Sequence, residues 1–468
     1  MNPKNSTHHI VIIGGGPGGY EAALAGRQLG AQVTLVERQG VGGAAVLTDV
    51  VPSKTLIATA TAAEEVRTAF SLGINVGGQS ADVSVDLASV NSRLLDLAKS
   101  QSNEMLESLT KAGVRVINGT GKLDGNHAVI VEVEGPAPER LEAKTIVLAV
   151  GARPRTLPSA EPDGVRILTW TQLYNLKELP EHMVVVGSGV TGAEFASAYL
   201  SLGCKVTLVS SRDYVLPGED QDAAVLIEDV FRRRGMNILK QSRADKVEAT
   251  ATGVKVHLQD GSVVEGSHCL MAVGSIPNTE NLGLEEAGVS VAPSGHIIAN
   301  RVARTSRANV YAVGDCTDFY PLASVASMQG RTAVFHTMGD VAAPTLKRNI
   351  ASNVFTSPEI ASVGWSESDI KAGLVNGQVE TIQLATNPRA KMTGVKDGFI
   401  KLFSSTGSGT VIGGVVVAPN ASELIYPIAM AVENRLSVDE LARTYTVYPS
   451  LTATITDAAR ALHNPNLD

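Results

Sequence analysis

Residues 10–37, IVIIGGGPGGYEAALAGRQLGAQVTLVE, and residues 183–210, MVVVGSGVTGAEFASAYLSLGCKVTLVS, align without a gap at a constant offset of 173. Each string reads as an apolar strand, a glycine turn, a helix and a second apolar strand. Strands joined through a helix run parallel, so the repeat demands an α/β chain with two doubly wound units. The glycine spacing is the dinucleotide fingerprint in both copies. Gly14 makes the tight turn, Gly16 lets the backbone approach a pyrophosphate, and Gly19 lets helix and strand pack closely; Gly187, Gly189 and Gly192 repeat those tasks. The phosphates are then expected at the positive end of each helix. One such string is a weak signal. Two in register, each after a β-branched strand, are strong.

The copies differ where a nucleotide is told apart. The first ends on Glu37, whose carboxylate can accept both ribose hydroxyls of an adenosine. The second ends on Ser210, followed by Ser211 and Arg212. A carboxylate there would repel a 2′-phosphate, whereas hydroxyls and a guanidinium could bind one. Copy one therefore reads as an FAD site and copy two as one that accepts NADPH. If Arg212 is only a solvated surface charge, NADH serves instead.

The remaining composition narrows the class. A net charge of −8 without a basic block gives no footprint for nucleic acid. No charged-then-apolar leader precedes the first strand near His9, and no apolar run approaches the roughly 18 residues of a membrane helix. The expectation is a soluble cytoplasmic protein with no membrane span. Cys204, Cys269 and Cys316 are sparse, odd in number and far apart. They suit a reducing compartment and have no metal-ligand spacing.

Further motifs carry a resemblance over essentially the whole chain. VGGAAVLTDVVPSK (41–54), VINGTGKL (116–123), TIVLAVGARP (145–154), LMAVGSIPN (270–278), VYAVGDC (310–316), PLASVA (321–326), VFTSPEIASVG (354–364) and TVYPSLTATIT (446–456) resemble the flavoprotein pyridine-nucleotide disulfide oxidoreductases. That is the family of dihydrolipoamide dehydrogenase and glutathione reductase. The fold it implies is α/β: two Rossmann-like domains, for FAD and NAD(P), plus an α+β C-terminal dimerisation domain. The expected division is 1–153 for the first part of the FAD domain, 154–271 for the NAD(P) domain, 272–344 for the second part of the FAD domain, and 345–468 for the interface domain. Residues 55–112 read as long amphipathic helices broken at Gly73 and Gly77–Gly78, and ELIYPIAMAVENRL (423–436) as a buried helix. By resemblance, Gly42, Gly43, Gly121, Gly151, Asp315 and Ala323 join the FAD site, and Gly274 closes the NAD(P) domain. Asp315 would bind a ribityl hydroxyl. The implied partner is a second copy of the chain, as a homodimer or, alternatively, a tetramer.

The same resemblance exposes what is missing. Members carry two cysteines where this chain has Ala45 and Val50, and a histidine–glutamate pair where it has Tyr448 and Ala453. A methyl and an isopropyl group cannot make a disulfide, and a phenol titrating near 10 is a poor proton shuttle at neutral pH. Lys54 and Glu194 survive. In the family they pair beside the flavin, where the lysine favours the electron-rich reduced ring. Glutamate at the position of Glu194 is not diagnostic alone, because Glu21 aligns with it in copy one. The pattern most resembles the cysteine-less actinobacterial branch, whose members act as FAD-dependent NAD(P)H:quinone reductases. The expected chemistry is hydride entry from NADPH or NADH and electron exit to a small-molecule quinone, with Tyr448 donating a hydrogen bond to the acceptor. Two alternatives stay open: pyridine-nucleotide transhydrogenation or NAD(P)H oxidation by oxygen, and a non-catalytic flavin- or nucleotide-binding subunit.

Overall fold

The computed structural model describes residues 8–75, 83–135 and 137–463. It divides into two compact units, one of residues 1–55, 89–155 and 274–346, the other of 56–88, 156–273 and 347–468. The second unit holds residues 156–271 and 347–468 together with the helical stretch that begins at 56. Of the two expected helix breaks, Gly73 ends a short 3-10 turn, Ala69–Leu72; Gly77–Gly78 lies outside the described residues.

The first unit is built on a five-stranded parallel sheet in the order Val310–Ala312, Thr145–Leu148, His9–Ile13, Gln32–Glu37, Arg115–Asn118. Its central strand is apolar on both faces because both faces are covered: Ile10, Val11 and Ile12 are wholly buried. Each such side chain contributes about 1.5–3 kcal/mol by leaving water. Helix Pro17–Gln28 follows the glycine turn and crosses helix Ala323–Met338. The crossing is close enough that a Cβ at Gly330 would overlap the Gly18 carbonyl. A three-stranded antiparallel sheet, Thr120–Asp124, Ala128–Glu132 and Glu139–Glu142, completes this unit's main sheets.

The second unit repeats the parallel arrangement with strands Asn237–Leu239, Lys205–Val209, His182–Val186, His268–Met271 and Ile167–Leu168. The repeat keeps its register. His9 faces Gln32 in one copy, and His182 faces Lys205 in the other, again 173 residues on. A detail without chemistry is repeated too: His9 Nε2 meets Thr34 Oγ1 at 2.9 Å, and His182 Nε2 meets Thr207 Oγ1 at 2.8 Å.

The C-terminal part of this unit is a five-stranded antiparallel sheet ordered Ser352–Val354, Glu359–Gly364, Val411–Ala418, Phe399–Ser405, Gly377–Gln383. Helices Tyr426–Asn434 and Ala453–Ala461 pack on it through Ile428, Ala431, Ile455 and Ala458. The 423–436 segment is not the buried helix its periodicity suggested. Pro427 stands at the start of a separate helix, and that helix buries one face only, leaving Tyr426 and Met430 exposed.

Candidate functional site

The two glycine turns are built alike. Gly14 and Gly187 have φ of +101° and +110°, and each donates its N–H to the end of the next strand, at Val36 O and Val209 O. A Cβ at Gly19 would overlap the Gly14 carbonyl, and one at Gly192 the Gly187 carbonyl, so the helix can sit this close only as glycine. The helices that follow, Pro17–Gln28 and Val190–Leu202, have Gly16 and Gly189 as N-caps, with no side chain capping the first turn. By contrast, helix Gln221–Arg233 is capped by the Asp220 carboxylate. The uncapped turns leave backbone N–H groups for an anion.

In the first unit Glu37 ends its strand with one carboxylate oxygen 2.6 Å from Gly15 N and the other 2.7 Å from Gln39 N. The 42–43 turn lies against the same loop: Gly42 N–H donates to Gly15 O at 2.8 Å, and a Cβ on Gly43 would come within 3.0 Å of Gly16 Cα. Gly121 is buried on the side chain of Ile13, while neighbouring Gly119 donates to Glu37 O. Gly151 and Gly274 organise the crossovers. Strands Ala152–Pro154 and Ser275–Pro277 pair antiparallel, with Asn278 N–H on Gly151 O and Arg155 N–H on Gly274 O. Asp315 sits at the end of strand Val310–Ala312, where burial pushes its carboxyl above the usual range against the pull of His296. Ala323 opens a helix that also lacks a side-chain cap. Glu21 pairs with Arg331 at 3.2 Å.

Segment 41–54 forms a five-residue helix, Gly43–Leu47, and the start of helix Val50–Thr68. Ala45 is half-buried on the first, Val50 is 36% exposed at the head of the second, and Lys54 is half-buried on that second helix. Ser102 fixes the segment by donating to Val41 O at 2.6 Å. The three cysteines lie elsewhere, all buried and none in a disulfide. Burial pushes the Cys204 and Cys316 thiols up to about 12, and Cys269 higher still. Among the described residues no group of three or more His, Cys, Asp or Glu is placed to hold a metal ion.

In the second unit the structure differs from expectation at Ser210. Its side chain is wholly buried, because Ser188 Oγ lies 2.7 Å from its hydroxyl and the Arg212 N–H donates to it at 3.1 Å. Ser188 occupies the place of Gly15 in copy one, so a hydroxyl pair replaces the N–H to carboxylate bond made by Glu37. Ser211, Arg212 and Asp213 are exposed side by side at the start of the loop. Glu194 is buried, and its Oε1 accepts from Phe355 N–H at 2.8 Å. Ser197, one turn on, accepts from Ser357 N–H at 3.2 Å. The fingerprint helix therefore holds the 355–357 loop, a function that nothing local in the sequence signals. Tyr448 is 77% exposed in the chain, next to exposed Tyr445 and Val447. Ala453 begins helix Ala453–Ala461.

A family model described as pyridine nucleotide-disulphide oxidoreductase matches residues 8–330, and its dimerisation-domain companion matches 350–459. The chain belongs to this family. Members use FAD and NAD(P)H. The residues present fit both groups: a glycine cradle that any Cβ would fill, uncapped helix starts, and a carboxyl held buried at Asp315. No helix among the described residues is long and apolar enough to cross a membrane. The chain is 49% identical over 462 residues to NAD(P)H dehydrogenase (quinone) of Mycobacterium tuberculosis strain H37Rv, covering 97% of this chain and 93% of that protein. It is 34% identical over 459 residues to dihydrolipoyl dehydrogenase 2 of Haloarcula marismortui, covering 97% and 96%. The crystal structure of LpdA from M. tuberculosis superposes with a TM-score of 0.94 at 48% identity, covering 98% of this chain and all of that one. The HOCl-induced flavoprotein disulfide reductase RclA of Escherichia coli shares the fold, with a TM-score of 0.85 at 24% identity over 97% of this chain and 99% of that one.

Proposed function

We propose that this chain is an FAD-dependent NAD(P)H:quinone oxidoreductase that works as a homodimer in the cytoplasm. One observation carries the reading: both nucleotide cradles are intact, while the dithiol and acid–base positions hold Ala45, Val50, Tyr448 and Ala453. Electrons can enter, but cannot leave through a disulfide. The similarity to a relative named NAD(P)H dehydrogenase (quinone) points the same way.

FAD, when bound, supplies a carrier of two electrons between nicotinamide and acceptor. The protein's part is placement and charge. Gly14, Gly16 and Gly19 seat the FAD pyrophosphate, Glu37 takes its ribose, Asp315 its ribityl chain, and Gly42, Gly43, Gly121, Gly151 and Ala323 shape its bed. Lys54 provides the positive charge that favours the reduced ring. Gly187, Gly189, Gly192 and Gly274 serve the pyridine nucleotide, Ser211 and Arg212 take a 2′-phosphate, and Glu194 orders the nicotinamide end. Quinone reduction to hydroquinone takes two electrons and two protons: the hydride of NAD(P)H supplies both electrons and one proton, and solvent supplies the other. The Tyr448 hydroxyl, delivered by the exposed 445–448 stretch of a second copy, donates a hydrogen bond to the quinone carbonyl as charge builds on it. The matched dimerisation domain supports that arrangement.

The test is anaerobic reduction of the holoenzyme by NADPH, followed by menadione, thio-NAD⁺, oxygen and lipoamide as acceptors. Menadione is expected to turn over fastest and lipoamide not at all. Turnover of lipoamide would overturn the reading, and a lead for thio-NAD⁺ would make the protein a transhydrogenase. Tyr448→Phe should lower kcat/KM for menadione by about tenfold, the loss of one hydrogen bond to a charge-bearing oxygen.

A further inference from the structure

The loop between the second copy's last strand and helix Gln221–Arg233 is fastened to the glycine turn at two points. Ser210 meets Ser188 through their hydroxyls, and Leu216 N–H donates to Ser188 O at 2.8 Å. Leu216 is buried with φ of +56°, a conformation a leucine holds only where its surroundings impose it. The far end of the loop is Asp220. Its carboxylate caps the helix through the N–H groups of Asp222 and Ala223, and lies 3.0 Å from Lys401 Nζ.

Lys401 stands on an internal strand of the C-terminal antiparallel sheet, paired to Thr381 on one side and Val415 on the other. Its side chain is 1% exposed, and its ammonium also meets Asp222 Oδ2 at 2.6 Å and Glu367 Oε2 at 2.5 Å. Burial disfavours the charge, yet the three carboxylates hold the group firmly protonated. A buried ion cluster is poor evidence for stabilisation, since desolvation offsets much of the attraction. What it supplies is a fixed distance between a rigid sheet and the end of the loop.

We propose that Lys401 is a positioning residue for the pyridine-nucleotide site. Through Asp220 it ties the 210–220 loop to the C-terminal sheet, and so sets how tightly the adenosine end of NAD(P)H is held. The proposal rests on the reading of the second fingerprint as the NAD(P)H site. It adds a residue distant in sequence from that fingerprint and with no assigned place against nucleotide or flavin.

The informative variant is Asp220→Asn/Lys401→Met. Asparagine keeps a good helix cap, and no unpaired ammonium is left behind; of the two carboxylates that lose Lys401, Asp222 faces water and Glu367 keeps Lys371. Stopped-flow reduction of the bound flavin by NADPH gives an apparent Kd and a limiting rate. The apparent Kd should rise about tenfold with the limiting rate within about twofold, as expected when a remote support is loosened and the reacting atoms are not. Flavin absorbance and circular dichroism report whether the fold is kept, and KM for menadione should not move. An unchanged Kd in the folded double variant overturns the proposal. If that variant does not fold, Asp220→Asn alone decides: a threefold rise, about what weakening one charge-assisted bond gives, supports the tether, and no change overturns it. Failure of the wild type to be reduced by NADPH or NADH removes the underlying reading instead, and is a separate result.

Discussion

Gly192→Ala tests the second cradle most directly. A Cβ at Gly192 would lie 2.9 Å from the Gly187 carbonyl carbon and 3.3 Å from Ala272 Cβ, and would overlap the Gly187 oxygen. Carbon atoms rest at about 3.5–4.0 Å, so helix Val190–Leu202 must back away from its strand by about 1 Å. Overpacking of that size costs about 1–3 kcal/mol, which a chain of this length can absorb. The larger effect is on the site, where a displacement of about 1 Å can cost up to a hundredfold in rate. The purified variant should stay yellow, because the first cradle is untouched, while flavin reduction by NADPH slows by ten- to a hundredfold. Gly19→Ala, the same change 173 residues earlier, should instead yield protein that loses its flavin. A Gly192→Ala protein that keeps its flavin and is reduced at the wild-type rate would refute the assignment of the second turn to the pyridine nucleotide.

Two further outcomes are expected. Burial raises the Asp315 carboxyl above its ordinary 3.8, so the flavin-free protein binds that proton more tightly than the unfolded chain does and loses stability as pH rises from about 3.8 through the elevated value. Asp315→Asn should abolish this, giving a flavin-free variant at least as stable as wild type at pH 7 by thermal melting. Its FAD should bind about tenfold more weakly, for want of a charged acceptor. Cys204, Cys269 and Cys316 are buried with thiols at about 12 or above, so N-ethylmaleimide should neither modify the native holoenzyme by mass spectrometry nor slow menadione reduction. Loss of activity on alkylation would mean that a thiol takes part.

Much of the frame was legible because it is written locally. The 173-residue offset, the glycine spacing and the apolar strands fix the two parallel sheets, and the structure keeps their register residue for residue. What was not legible depends on partners far along the chain. Glu21 and Glu194 occupy equivalent positions, yet one pairs with Arg331 and the other with the Phe355 N–H. No local pattern separates them. Ser210 suggested a phosphate contact by its position; Ser188 turns its hydroxyl inward. The 423–436 segment had helical periodicity, but the exposure of Tyr426 and Met430 depends on which face meets the sheet. Lys401 carried no motif, since a lone lysine in a strand reads as surface until three carboxylates arrive from elsewhere.

The matching histidine–threonine bonds, His9 to Thr34 and His182 to Thr207, serve no nucleotide. The likeness thus extends beyond the glycine turns to the first residue of each central strand, where both copies close on the second strand in the same way. Chimeras follow from that. Residues 183–210 grafted in place of 10–37 keep the length and the glycine turn but would also put Thr, Phe and Tyr at the buried positions of Gly18, Ala22 and Gly26. The exchange that isolates selectivity is therefore the cluster alone, Gly15→Ser with Glu37→Ser in one unit and Ser188→Gly with Ser210→Glu in the other. Such exchanges would measure how much of each cradle's selectivity is its own and how much is lent by the unit around it.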